Sequence, residues 1–171
     1  MGCSPAGGRF WCNKGMKRKW RLYLDASVFG GCFDSAEGWE EDSRRVLNYC
    51  VEGRAMLITS SELEEELVDA PERVVRVFAS VPADHVETVE INAEVSELAE
   101  AYLAAGVVGV RWRADCLHVA AATVYRADSI VSWNFRHIVR LDRIRAFNAV
   151  NLEQGYGIIT ILSPKEVNLD E

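Results

Sequence analysis

Five short strand-like runs, RLYLD, AMLITSS, HVETVEI, SIVSW and GIITIL, are separated along this chain by stretches long enough for a helix. No other feature constrains the fold as much. Strands divided by helix-length connections pair in parallel, and the crossovers carry their helices onto the faces of the sheet. RLYLD, which ends at Asp25, is nearly continuous in apolar residues, the pattern of a strand buried on both faces whose C-terminal end opens on something polar. These runs predict an α/β domain with a mostly parallel central sheet flanked by helices on both faces, a three-layer α/β/α arrangement. At 171 residues there is room for one such domain with a full core. We place it at 21–171, behind a Gly-rich, basic and disordered leader over 1–20.

The intervening segments carry helix signals. SRRVLNYCVEG reads as a helix with Ser43 as N-cap and Gly53 past its end. Ser60 or Ser61 can cap the next stretch, in which Leu63, Leu67, Ala70 and Val74 recur at three- and four-residue spacing while Pro71 marks a break or a second start. Asn92 can cap a helix that runs through Ala105 and ends at Gly106. A helix over Asp115 to Arg126 precedes SIVSW, and a basic segment, RHIVRLDRIRAFN, follows it.

Composition narrows the function. A net charge of −7 argues against a broad electrostatic footprint for duplex DNA, yet suits a metal-dependent site for a single phosphodiester, where a cation offsets the local negative charge. No apolar run approaches the roughly 20 residues of a membrane span, so no membrane association is expected. Cys3, Cys12, Cys32, Cys50 and Cys116 are odd in number, spread out and without a C-x-x-C pair, which reads as reduced thiols in a cytoplasmic protein. Between Trp20 and Pro164 there is no lysine, which removes a Walker-type phosphate loop, and no G-x-G-x-x-G follows a strand.

In parallel sheets the active crevice lies at the C-terminal ends of the strands, near the switch in strand order. Asp25 ends the first strand, Glu66 falls in the first turns after the second, Asp115 begins the helix before SIVSW, and Asn134 sits just past that strand. Four separated positions are thus expected in one place, as hard oxygen donors suited to Mg²⁺ or Mn²⁺. Each residue also has an ordinary reading. An acid at a helix start compensates the dipole, and Glu62, Glu64, Glu65 and Glu66 crowd one turn as a solvated face would. Asp128 either supports the site or caps a turn; Ser27, Ser60 and Ser132 either orient carboxylates or cap. His118, three residues after Asp115, is an acid–base candidate or a hydrogen-bonded core histidine. Arg136, Arg140 and Arg143 lie on a solvated face or track the phosphates of single-stranded RNA.

Four motifs, LDASVFGG (Asp25 with Ser27), TSSELEEEL (Ser60 and an acid before Leu67), DCLHVAAA (Asp115) and ADSIVSWNF (Ser132 and Asn134), resemble in order and spacing those of the PIN domain. This is a metal-dependent ribonuclease family that includes VapC-like toxins, and the resemblance spans Arg21 to Val167. It implies an endoribonuclease that hydrolyses phosphodiester bonds of single-stranded RNA with Mg²⁺ or Mn²⁺. Asp25, Glu66 and Asp115 would be the metal ligands and Asn134 the fourth member of the catalytic set, with Glu65 as the alternative second acid. The family often has an acid at the position of Asn134, which keeps an oxygen and loses a charge. A homodimer is also implied and, for the role of toxin in a type II toxin–antitoxin pair, an antitoxin partner. The alternative is a catalytically weak PIN scaffold that binds RNA or a protein.

Overall fold

The computed structural model describes residues 18–170. The expected leader therefore lies, except for its last residues, outside the described chain, and Trp20 already opens the first strand. The strands are β1 (Trp20–Leu24), β2 (Ala55–Ser60), β3 (Val86–Val89), β4 (Ser129–Val131) and β5 (Thr160–Leu162). They form one sheet in the order β3-β2-β1-β4-β5, and every neighbouring pair is parallel. The chain builds outward from β1 through β2 to β3, then crosses back to lay β4 on the other side of β1. The switch in strand order is therefore the β1/β4 junction.

Among the described residues seven α-helices cover the two faces: α1 (Ala26–Gly31), α2 (Glu40–Val51), α3 (Ser61–Val68), α4 (Glu72–Ala79), α5 (Ala93–Ala104), α6 (Arg113–Val124) and α7 (Leu141–Glu153). The near-continuous apolar character of the strands follows from this double cover. Leu22, Leu24, Leu57 and Val131 pack with Val28, Val46, Leu63 and Val74 from the first four helices. Tyr23, Ile58, Ile130 and Ile161 turn the other way, onto Leu98, Tyr102, Val119, Ala120 and Phe147 of α5, α6 and α7. The Ala-rich run of α6 (Ala120–Ala122, all fully buried) lets this helix lie close on the sheet.

Most helix signals act as expected. Ser60 accepts the Leu63 N–H, Asn92 accepts the Val95 N–H at 2.9 Å, and Pro71 separates α3 from α4. Gly106 follows α5 with φ +68, a conformation that costs glycine little. Ser43 is a correction, since α2 starts earlier at Glu40, where Glu40, Glu41 and Asp42 fill a first turn that favours acids. Ser43 is instead buried in that turn and takes the indole N–H of Trp133 at 2.8 Å. Helix α6 begins at Arg113 rather than Asp115, so Asp115 lies inside its first turn. The short α1 carried no sequence signal of its own. Among the described residues no helix is long and apolar enough to cross a membrane. The cysteines there, Cys32, Cys50 and Cys116, are buried and unbridged.

Candidate metal centre

Strand β1 ends at Leu24, so Asp25 emerges at the sheet edge beside the switch point, where its N–H still reaches the Val131 carbonyl of β4. Its carboxylate is nearly buried, at 5% exposure. Two serines hold it. Ser27 Oγ donates to Oδ1 at 2.5 Å, and Ser132 Oγ donates to Oδ2 at 2.6 Å. Each serine in turn accepts a backbone N–H from the segment beyond β4, Ser27 from Trp133 at 2.8 Å and Ser132 from Asn134 at 2.9 Å. The loop after β4 and the turn after β1 are thereby sewn together through one carboxylate. Burial raises the pKa of Asp25; the positive character of His118 and the two serine donors oppose this, and the charge of Glu66 adds to it.

Glu66 reaches the same edge from α3. Its Oε1 lies 3.1 Å from Nε2 of His118, a side chain of α6 that is almost fully buried. His118 Nδ1 sits 2.7 Å from the Tyr23 hydroxyl, itself 2.6 Å from Ser60 Oγ. A consistent set of donors runs from Ser60 to Tyr23, from Tyr23 to Nδ1, and from Nε2–H to Glu66, satisfying the buried hydroxyls and imidazole of this relay. Burial pulls the His118 pKa down, but the hydrogen bond and charge of Glu66, with Asp25 and Glu62 behind, leave it raised. Glu62, one turn before Glu66, is raised by burial, lowered by His118 and raised again by Glu66. The turn of four glutamates thus has a site side, the half-buried Glu62 with Glu66, which is exposed yet reaches His118, while Glu64 and Glu65 point to solvent.

Asp115 enters from the first turn of α6. Asn134 Nδ2 donates to its Oδ1 at 3.0 Å. Asn134 Oδ1 accepts the His137 N–H at 2.9 Å, which fixes the direction of the amide. Nδ1 of His137 lies 2.9 Å from Asp115 Oδ2, a close contact that is poorly aligned for a hydrogen bond, so that this buried oxygen is incompletely satisfied. Burial raises the Asp115 pKa as well, against the lowering effects of His137 and His118.

Asp25, Glu62, Glu66 and Asp115 therefore share an edge at which no arginine or lysine among the described residues is ion-paired to any of them. Carboxylates crowded in this way repel and lose solvation, and a hard divalent cation is the ordinary remedy. The donor chemistry fits such a cation, and the incompletely satisfied Asp115 Oδ2 is the clearest sign. As they stand, however, the side chains do not close on one point, and no group of three acids, histidines or cysteines among the described residues forms a ready cage. Each acid is turned to its own partner, to serines, to His118 or to Asn134.

Ser27, Ser132, Glu66, Asp115 and Asn134 thus gather around Asp25 as expected. Ser60 does so only indirectly, through Tyr23. Asp128 does not: it precedes β4, at the far end of the sheet, where it accepts the Arg21 N–H at 2.8 Å and pairs with Arg18. Asn134 orients Asp115 through its N–H group, and its amide oxygen is occupied by backbone. Sequence reasoning missed Tyr23 and the site-facing Glu62, and it left His118 among ordinary core residues. The i, i+3 spacing of Asp115 and His118 and the Tyr set between two leucines of β1 were the available signals.

Fold and edge together define a parallel α/β domain with a carboxylate-lined edge at its topological switch point. No family model and no curated protein sequence matches the chain. Among solved structures, it is similar to VapBC2 from Rickettsia felis bound to a DNA fragment from its promoter, with a TM-score of 0.49 and 10% identity over 84% of this chain and 98% of that one. It is also similar to DNA-bound VapBC from Salmonella typhimurium, with a TM-score of 0.48 and 17% identity over 85% and 98%. These correspondences concern the course of the chain alone; the chemistry of the acidic edge stands on this chain's own side chains.

Proposed function

We propose that the chain is a metal-dependent endoribonuclease that hydrolyses phosphodiester bonds of single-stranded RNA, with Asp25, Glu66 and Asp115 as the ligands of Mg²⁺ or Mn²⁺. The observation that carries this reading is the buried Oδ2 of Asp115, which faces the His137 imidazole without an aligned hydrogen bond, beside a second buried carboxylate, Asp25, at the switch point of a parallel sheet. A bound divalent cation supplies charge neutralisation at the scissile phosphodiester and polarises the attacking water. The rest is the work of the protein. Ser27 and Ser132 hold both oxygens of Asp25 in place, Asn134 fixes Asp115, and His118 holds Glu66 by Oε1, leaving Oε2 free of that bond. Glu62 flanks Glu66 on the same edge, its pKa raised chiefly by burial.

In this reading the protein works in the cytoplasm as a homodimer and has the role of toxin in a type II pair, its antitoxin protein covering the acidic edge. The test is cleavage of a mixed single-stranded RNA pool in Mg²⁺ or Mn²⁺ by the wild type and by folded Asp25→Asn and Asp115→Asn variants. Metal-dependent cutting lost in both variants is expected; equal cutting in all three means contamination and defeats the assignment. The engaged amide of Asn134 and the open arrangement of the acids favour a second reading, a catalytically weak scaffold that binds RNA or a protein. Divalent-metal binding without turnover would select it.

A further inference from the structure

Next to the acidic edge lies a cavity of about 220 Å³ walled by Trp112, Arg136, His137, Arg140 and Arg143. His137 belongs to both places. Its Nδ1 faces Asp115 Oδ2, and its ring packs on Trp112 with centroids 4.1 Å apart. Anything filling the cavity is therefore one side chain away from the proposed reaction centre.

The three arginines differ in what already answers their charge. Arg140 is held by Asp142 through two hydrogen bonds of 2.6 Å, so it contributes little net field to the cavity. Arg143 gives one terminal nitrogen to the Val107 carbonyl, and its Nε is buried with no acceptor. A buried donor on a guanidinium is costly to leave unmade, and a neutral carbonyl on the other arm does not offset the charge. Arg136 makes no hydrogen bond or ion pair with the described residues and lies over the Trp112 ring at 5.7 Å. Arg111 shares that ring at 4.9 Å. Trp112 thus has His137 against it and guanidiniums over it, and its role is to hold charge in place rather than to stack on a base. In a chain of net charge −7, two guanidiniums with no carboxylate partner, in one cavity beside an acidic centre, are an anion site.

We propose that this cavity is a subsite for a backbone phosphate of the substrate strand adjacent to the phosphodiester that is cut, held by Arg136 and Arg143. It presupposes the RNA-cleaving reading above. The subsite sorts the basic segment. Arg136 and Arg143 touch the strand, Arg140 is reserved by Asp142, and Arg145, exposed on α7 and outside the cavity, does not take part. It also gives the two flanks of Asp115 opposite duties: carboxylates on one side of the residue gather a cation, while guanidiniums on the other fix the register of the strand.

The experiment is fluorescence anisotropy with a short mixed-sequence single-stranded RNA labelled at its 3′ end, in EDTA so that binding is read without cleavage, across a salt series. Arg136→Gln should weaken binding several-fold and reduce the slope of log affinity against log salt by about 0.7, the value for one lost phosphate contact on a single strand. Arg145→Gln should change neither. Arg143→Gln should act as Arg136→Gln does, and because Arg143 also holds the Val107 carbonyl, the exposed Arg136 is the deciding variant. Equal effects of Arg136→Gln and Arg145→Gln overturn the subsite. Unchanged binding by Arg136→Gln in a chain whose wild type cleaves RNA in Mg²⁺ overturns the subsite and leaves the nuclease reading standing. Failure of the wild type both to bind and to cleave overturns the two together. Strands with a 5′-hydroxyl and a 5′-phosphate should bind alike; a preference for the 5′-phosphate that Arg136→Gln abolishes would overturn the internal diester in favour of a terminal phosphate.

Discussion

The two ends of the sheet handle acids in opposite ways. At the end where β1 begins, Glu87 receives two nitrogens of Arg21, at 2.6 and 3.2 Å, and Asp128 receives the Arg21 N–H and the Arg18 guanidinium. Arg21 also gives its remaining arm to the carbonyls of Tyr125 and Arg126, each at 2.8 Å, where the chain leaves α6. At the other end Asp25, Glu66 and Asp115 are met by hydroxyls, an amide and imidazoles, with no arginine or lysine paired to them. The first arrangement satisfies its charges and holds elements together. The second keeps charge unneutralised in a buried place, at a cost in stability that a structural role would not require. A difference this sharp within one sheet separates a staple from the proposed site.

The largest expected effect is at the acidic end. Asp25→Asn and Asp115→Asn should reduce RNA cleavage by more than the ~10–100-fold typical of losing a group that only orients a ligand. Thermal denaturation of Asp25→Asn in EDTA should show the opposite sign, a rise of roughly 2–4 °C for each 1 kcal/mol regained by removing a buried charge. A variant that is both inactive and destabilised would erase the contrast. His118→Gln should come next, with a loss of about 10–100-fold in Mn²⁺ affinity or in turnover, read by titration and by steady-state cleavage. At the stapled end, Arg21→Met should cost about 2 kcal/mol, since it removes charge-assisted hydrogen bonds of partly buried partners, while cleavage per folded molecule stays unchanged.

The response to pH sharpens the comparison. Burial raises Asp25 and Asp115 above the ordinary 3.8, so between the unfolded and folded values the native chain holds more protons than the unfolded one. Stability in EDTA should therefore rise as pH falls from neutrality through their folded values, and stop rising near 3.8. His118, raised above 6.5, adds in the same direction, because its contribution is present below 6.5 and is lost as pH climbs through its folded value. Melting curves measured stepwise from pH 7 down to pH 4 should show this gain in the wild type and a smaller one in Asp25→Asn. Mg²⁺ should raise the melting temperature more at pH 7 than at pH 5, since protons compete for the same oxygens. The smallest effect is expected for Glu65→Gln, which should leave cleavage within about twofold of wild type, because the site side of α3 carries Glu62 and Glu66.

What the sequence revealed and what it hid divide along physical lines. Asp25, Ser132 and Asn134 were legible because a parallel strand shows its C-terminal end directly, and the polar residue after an apolar run belongs there. Asp128 was readable by the same rule, since a residue that precedes a strand lies at the opposite end from its site; the double reading of Asp128 overlooked this. The choice among the four glutamates depended on how α3 is rotated against α6, which periodicity alone does not set. The link from Tyr23 to His118 spans 95 residues, and it exists only because β1 and α6 share one core layer. Likewise, the rotation of α7 separates Arg143, inside the cavity, from Arg145, outside it.

Trp39 stacks on Trp133, with ring centroids 4.7 Å apart and planes within 5° of parallel. Trp133 stands between Ser132, which holds Asp25, and Asn134, which holds Asp115, and its indole N–H is tied to Ser43 beneath it. Two indoles this close couple their electronic transitions, so any tightening of the loop that carries them alters both emission and near-ultraviolet dichroism. The proposed centre thus comes with a built-in optical gauge: under the metal-dependent reading, cation binding would be followed on the unlabelled protein, in real time and before any bond is broken.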